Sequence, residues 1–260
     1  MKSWELLEEE CVNYLQNKYP KTEFIWLGKE DSTQSDILVK TNHNEFYIEV
    51  KSPLSQSGQF VLIPDYHNQV FRYSIKNKTP MLQQTTEIIN YMNNAYANVT
   101  TEPKEMNLEQ NILVNWVINY YATKKVKFII TKFNNQFLII PLPKIGNYYA
   151  IKCFYRIKKS GSSSVSSFSK EELMAWWNYS NEGNFIIENK KLYFYCSQCL
   201  DQCKIRTPHH TYLLHRIIDG KYEVRKLSKT FNANAIFQIK LKELKQAIMD
   251  LTEFDKTIND

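Results

Sequence analysis

Only 6 glycines occur in 260 residues. That scarcity, with no phosphate-binding loop pattern anywhere, argues against a glycine-rich nucleotide fold. No stretch approaches the roughly 18 apolar residues that a membrane span requires, so no membrane partner is expected. The first residues enter a charged helical pattern rather than the basic, apolar and then small-residue order of a secretion signal. The 5 cysteines are odd in number and three of them cluster, which does not look like an extracellular disulfide framework. A soluble, cytoplasmic protein is the expectation.

What is present is enough to fold. Hydrophobic residues make up 43% of the chain, and tyrosine (17) and phenylalanine (14) are plentiful, so one large domain or two small ones can be filled. Lysine and arginine (33) outnumber aspartate and glutamate (27), a net charge of +6 that favours polyanionic partners without proving one. No internal repeat is evident, and the one biased segment is a serine-rich run near 160.

Residues 3–16 read as an amphipathic helix, with Ser3 as cap and Trp4, Leu7, Cys11 and Leu15 as its apolar stripe. Glu8 falls on or beside that stripe, whereas Glu5, Glu9 and Glu10 are easier to solvate. Phe24-Ile25-Trp26-Leu27 reads as a first strand. Two alternating runs, Ser35-Asp36-Ile37-Leu38-Val39-Lys40 and Glu45-Phe46-Tyr47-Ile48-Glu49-Val50-Lys51, then flank the polar turn Thr41-Asn42-His43-Asn44, which is a hairpin signal. With the turn centred between Asn42 and His43, facing residues have numbers that sum to 85, so Asp36 stands across from Glu49. Facing Cβ atoms lie roughly 4.5–5.5 Å apart. Lys51 shares the face of Glu49, while Phe46, Ile48 and Val50 point the other way into a core.

Past Lys51, Pro53 ends the strand, and Ser52-Pro53-Leu54-Ser55-Gln56-Ser57-Gly58-Gln59-Phe60 reads as a polar loop. It is either a plain surface loop or one that lies along a phosphate backbone. Helices are expected over 84–98 and 108–121, the second with Leu108, Ile112, Asn115, Trp116 and Asn119 on one side. Strands follow at 126–131 and 136–142 across Asn134-Asn135. This order implies a mixed α/β core. Beyond Tyr148 comes a strand over 149–157, a basic serine-rich loop over 158–167, a helix over 171–179 and strands at 191–196, 211–217, 221–227 and 235–241. A helix over 242–251 closes the chain. The serine-rich loop is either a flexible linker or a phosphate-contacting element.

Two acceptor-only carboxylates on neighbouring strands form a hard-oxygen site of the kind Mg²⁺ uses, and a lysine beside them can act on a phosphate. The bland alternative is a solvated hairpin face on which Glu49 and Lys51 pair. Asp36, thirteen positions before Glu49-Val50-Lys51, resembles the Asp-x(n)-Glu-x-Lys motif of the PD-(D/E)XK nuclease superfamily, with Ser35 where the family name has proline. Leu7-Glu8, followed seven positions later by Leu15, resembles the first helix of that superfamily. The resemblance covers about residues 4–60. It implies an α/β (α+β) fold whose mixed central sheet is flanked by helices, with a catalytic core over 1–145. A β-rich DNA-recognition region, continuous with the core, would occupy 146–260. Asp36 and Glu49 would hold Mg²⁺, with the Val50 carbonyl as a further ligand; Lys51 would act on water and phosphate, and Glu8 would be accessory.

The size, the missing helicase or nucleotide motifs and the basic, amide-rich second half look most like a type II restriction endonuclease. Such an enzyme cuts double-stranded DNA at a specific sequence, as a homodimer or as a monomer cutting sequentially, and is expected beside the gene of a companion DNA methyltransferase. Candidate DNA contacts are Gln56, Ser57, Gln59, Arg156, Lys158, Lys159, Ser160, Ser162, Arg206 and Arg225. The alternatives are a structure-specific repair or recombination nuclease, and a non-catalytic DNA-binding module with a structural zinc. For that zinc the candidate ligands are Cys196, Cys199, Cys203 and His209, although a second paired-cysteine arm is lacking and the thiols can equally be reduced and unligated.

Overall fold

A computed structural model describes residues 3–28, 35–166, 169–177, 183–243 and 251–259. The chain begins with α1 (Ser3–Lys18), β1 (Glu23–Trp26) and the hairpin β2 (Ile37–Lys40) and β3 (Glu45–Val50). There follow β4 (Leu54–Asp65), β5 (Val70–Tyr73), α2 (Gln83–Asn94), β6 (Lys104–Glu105), α3 (Gln110–Ala122), β7 (Val126–Phe133), β8 (Gln136–Pro141), α4 (Ile145–Tyr148) and β9 (Tyr149–Lys159). Next are β10 (Ser162–Ser164), α5 (Lys170–Trp176), β11 (Asn184–Glu188), β12 (Lys191–Tyr195), β13 (Lys204–Arg206), β14 (Thr211–Ile218) and β15 (Lys221–Leu227). The last are β16 (Phe231–Leu241) and α6 (Thr252–Asn259). Among the described residues no helix is long and apolar enough to cross a membrane.

The chain forms two compact units, Met1–Ile157 with Ala233–Asp260, and Lys158–Asn232. The division expected at 145/146 is therefore displaced. Residues 146–157 and 233–260 return to the first unit because β16 inserts between β4 and β9 in one of its sheets.

The first unit holds two five-stranded sheets, β1-β2-β3-β7-β8 and β5-β4-β16-β9-β6. In the first sheet β3 and β7 run parallel while the other pairs are antiparallel. Asn134 and Asn135 both take positive φ (49° and 60°) to join β7 to β8, the conformation a two-residue hairpin turn needs. One face of this sheet carries Ile37, Val39, Phe46, Ile48 and Val50 into a core with Cys11, Val12 and Leu15 of α1 and Phe254 and Ile258 of α6. The other core lies around α3, whose buried side is Leu113, Trp116, Val117 and Tyr121. The face is rotated from the one anticipated: Trp116 is common to both and stacks on Phe237 of β16 (centroids 3.7 Å apart), while Leu113, Val117 and Tyr121 are buried and Asn115 is exposed. The second unit is one six-stranded sheet, β11-β12-β15-β14-β13 with β10 on β15, around a core that includes Leu192, Phe194, Tyr212, Tyr222 and Val224.

Two expected loops are strands. β3 ends at Val50, before Pro53, and β4 starts directly after that proline, at Leu54, in a different sheet, with Phe60 and Leu62 turned into the core. Opposite Phe237, β4 bulges at Ser57 and Gly58, and Gly58 takes φ +124°. Any Cβ there would sit 3.0 Å from the Trp116 ring, so the bulge needs glycine on both counts. In the basic serine-rich stretch, β9 runs on to Lys159 and Ser162–Ser164 form β10. Its hydroxyls find partners: Arg225 Nε donates to Ser162 Oγ at 2.8 Å, Ser164 donates to Glu223 and Thr230 donates to Ser160 Oγ at 2.9 Å. Ser167, Tyr179 and most of the expected closing helix (244–250) lie outside the described residues, and the helix that is described, α6, comes after it.

Candidate active site

The hairpin has the register anticipated for it: Ile37 faces Ile48, Leu38 faces Tyr47, Val39 faces Phe46 and Lys40 faces Glu45, every pair summing to 85. One step before β2, Asp36 meets the end of β3, and its Oδ2 accepts the Val50 N–H at 2.8 Å. Parallel pairing continues past the strand end, where the Lys51 N–H donates to the Ile130 carbonyl at 2.9 Å. The backbone carrying all three motif residues is thus held on both sides.

The Lys51 ammonium lies 2.8 Å from Glu49 Oε1 and 5.8 Å from the centre of the Tyr121 ring. Tyr121 is buried at the end of α3, and its hydroxyl is 3.0 Å from Ser57 Oγ. From the opposite side α1 brings Glu8, 7% exposed, whose Oε2 accepts the Trp26 indole N–H at 2.8 Å. Gly28 lets the chain pass this carboxylate: a Cβ there would lie 2.1 Å from Glu8 Oε2. A cavity of about 240 Å³ opens over the group, lined by Glu8, Asp36, Val50, Lys51, Ser52 and Ser55 together with Trp4 and Leu7.

The charges here are not balanced. Burial, with the nearby Glu49 carboxylate adding to it, pushes Asp36 up to about 8 despite Lys51 and the Val50 N–H. Burial also raises Glu8; its Trp26 bond opposes that, and Glu49 reinforces it. Burial alone would discharge Lys51, but Glu49, with Tyr121 and Asp36 behind it, holds it well above the ordinary lysine range. Glu49 Oε2 is buried with no hydrogen-bond partner. Facing carboxylates with a partnerless buried oxygen, over a cavity and backed by one ammonium, form a donor set that a hard divalent cation fits.

A comparison with solved structures aligns the whole chain with the whole of an HhaI endonuclease solved in complex with DNA, at 36% identity and a TM-score of 0.79. The chain belongs to the type II restriction endonucleases. The resemblance to the PD-(D/E)XK superfamily stated from the Asp36, Glu49 and Lys51 spacing is thereby met, as is the expected α+β fold. No family model matches the chain, and a comparison with curated proteins finds no match.

The remaining anticipated residues of this endonuclease divide three ways. Gln56 and Gln59 are exposed on β4, Lys158 and Lys159 at the end of β9, and Arg206 on β13. Ser57 is fully buried against Tyr121, so it supports the site from within and is not a DNA contact. Ser160, Ser162 and Arg225 are engaged with Thr230, with each other and with Glu223, and Arg156 is half-buried with its Nε enclosed. The zinc ligands do not converge. Cys196 is buried in the second unit's core, Cys199 is exposed and Cys203 is half-buried, while His209 packs near the His210 ring. Among the described residues no group of three or more His, Cys, Asp or Glu side chains is arranged to hold a metal ion.

Sequence reasoning passed over Tyr121, Trp26 and Gly28. Tyr121 continues the row Leu113, Val117 and reads as plain core, so nothing marked it as a neighbour of Lys51. Trp26 and Gly28 became visible only once α1 was laid on β1.

Proposed function

We propose that this endonuclease hydrolyses phosphodiester bonds of double-stranded DNA at a specific sequence with Mg²⁺, using Asp36, Glu49, Lys51 and Glu8. The observation that carries the reading is the pair of carboxylates around the partnerless Glu49 Oε2, with Lys51 fixed beside them. Asp36 and Glu49, with the Val50 carbonyl, would hold the cation; when bound it supplies Lewis-acid charge to a phosphate oxygen and makes a water more acidic. Lys51 is a fixed cation at neutral pH, so its role is to donate to the scissile phosphate and to stabilise the charge that builds there. Glu8, anchored by Trp26, orients a water at the cavity wall. Gln56, Gln59, Lys158, Lys159 and Arg206, all exposed, are the side chains from which DNA contacts are expected.

The test is plasmid DNA with Mg²⁺. Discrete fragments that chelator abolishes support the reading, and nicking of branched DNA without discrete fragments from linear duplex would replace it with a structure-specific nuclease. Each chain carries one such site. A homodimer would cut both strands in one encounter, whereas a monomer would accumulate nicked plasmid first; sedimentation at assay concentration separates the two. A cytoplasmic enzyme of this kind needs protected host DNA, so a DNA methyltransferase gene beside its own is expected.

A further inference from the structure

A second cavity, about 440 Å³, opens beside the first unit's sheet and is lined by Ser35, Tyr47, Lys78, Thr79, Pro80, Thr123, Lys124 and Lys125. Its chemistry is one-sided. Three lysines line it, no carboxylate does, and among the described residues none of the three lysines has an ion-pair partner. The Lys124 ammonium is held 4.9 Å over the Tyr120 ring, and that ring is itself stacked on Trp116 with centroids 5.0 Å apart. The lysine is thereby prepositioned on a rigid aromatic pair, a more committed arrangement than a free surface side chain.

The second observation is Ser35. It is 2% exposed, and its Oγ has no hydrogen-bond partner, so a buried hydroxyl at the cavity wall is left unsatisfied. Lysines 124 and 125 also follow the C-terminus of α3, where a cation is favoured by the helix dipole. That accounts for those two but not for Lys78, which comes from the segment before α2, nor for the unmet hydroxyl. Ser35 is bonded to Asp36, so this cavity and the catalytic one each take one residue of a single dipeptide into their walls.

We infer that the cavity lined by Lys78, Lys124, Lys125 and Ser35 is a phosphate-binding site that holds a non-scissile backbone phosphate of the duplex beside the catalytic centre. The inference rests on the nuclease reading and adds to it a contact that positions the strand without reading its sequence.

The experiment measures binding of a 20-base-pair duplex between 50 and 200 mM salt, with Ca²⁺ in place of Mg²⁺, for the wild type and for Lys78→Ala combined with Lys124→Ala. Each lost phosphate contact lowers the slope of log K against log salt by about 0.9; the two lysines share one phosphate, so the variant's slope falls by about 0.9 and it loses roughly three- to fourfold less affinity over that range. The variant's weakening is expected to be the same on cognate and unrelated duplexes. An unchanged slope overturns the inference, and so does an equal fall in a control with Lys18→Ala and Lys21→Ala, because the effect would then belong to net charge. Binding of inorganic phosphate that the variant loses while the duplex slope stays put would assign the pocket to a free anion and equally overturn it. Plasmid cleavage by the wild type in Mg²⁺ keeps the two readings apart: its absence sinks the nuclease reading, whereas cleavage with an unmoved slope sinks only this one.

Discussion

The carboxylates that tie the second unit's elements together and those gathered around Lys51 in the first are treated in opposite ways. In the second unit Glu188 accepts from Lys221 at 2.6 Å and from the Tyr195 hydroxyl, and Glu172 accepts from Thr207 and, at 2.8 Å, from Tyr212. Those bonds lower both carboxyls, Glu188 chiefly through Lys221 and Glu172 chiefly through Thr207. Glu223, 5% exposed, is met by Ser164 and Arg225. In the first unit Asp36 and Glu8 are raised by burial, and Glu49 keeps an oxygen with no partner. The same chain therefore satisfies these acids of the second unit and leaves short the ones at the candidate site, where the proposed cation and phosphate would complete them. Structural carboxylates are complete in the protein alone; carboxylates left short around a cavity mark a candidate site for substrate and metal.

This contrast can be broken most directly at the motif. Asp36→Ala and Lys51→Ala should each lower the initial rate of plasmid cleavage in Mg²⁺ by on the order of 10²–10³-fold or more, with duplex affinity in Ca²⁺ little changed. Cleavage at the wild-type rate by either variant would remove the site from the chemistry. Glu8→Gln should come next, losing about tenfold with the fold intact. Gly28→Ala, whose methyl group lands on the far end of the Glu8 side chain and shifts it, should lose no more than Glu8→Gln does.

Stability sharpens the same contrast with a sign. Arg225→Ala strips a partner from buried Glu223 and should cost about 1–3 kcal/mol in denaturant unfolding, whereas Asp36→Asn removes the cost of a buried carboxyl that burial holds protonated and should raise the melting temperature of the metal-free protein at neutral pH by a few degrees. A destabilised Asp36→Asn protein would show that the acid is structural after all. The smallest effect is in pH. Because the folded-state pKa of Asp36 lies above its unfolded value of about 4, the folded protein holds the extra proton between roughly pH 4 and 8. Asp36 therefore makes the metal-free stability decline as pH rises through that window, and adding Mg²⁺ at pH 8 should recover it. Melting curves of the wild type and Asp36→Asn, with and without Mg²⁺, measure both; an identical pH slope in the two proteins would refute the assignment.

The hairpin that brings Asp36 to Glu49 was legible because its signals are local. Alternating apolar residues set the faces, and the turn set the register by which Asp36 meets Glu49. The segments misread as loops failed for the reverse reason. Polar residues such as Ser55, Gln56 and Ser162 carry weak strand preference on their own, and they became strands because β16 and β15 offered them a partner edge. The serine hydroxyls that suggested phosphate contacts are occupied by Arg225, Glu223 and Thr230, partners 59 to 70 residues away along the chain.

By itself, then, the sequence determined the acid pair, the lysine beside it and the face they share, since a period of two and a turn of known length leave a hairpin little choice. Only the tertiary structure decided that Tyr121 and Ser57 stand behind Lys51, that Glu8 is locked by Trp26 over Gly28, and that β16 crosses back to complete the first unit. Each of those depends on which surface one element lays against another. That choice is made by packing between residues far apart in the chain, where no local period or spacing records it.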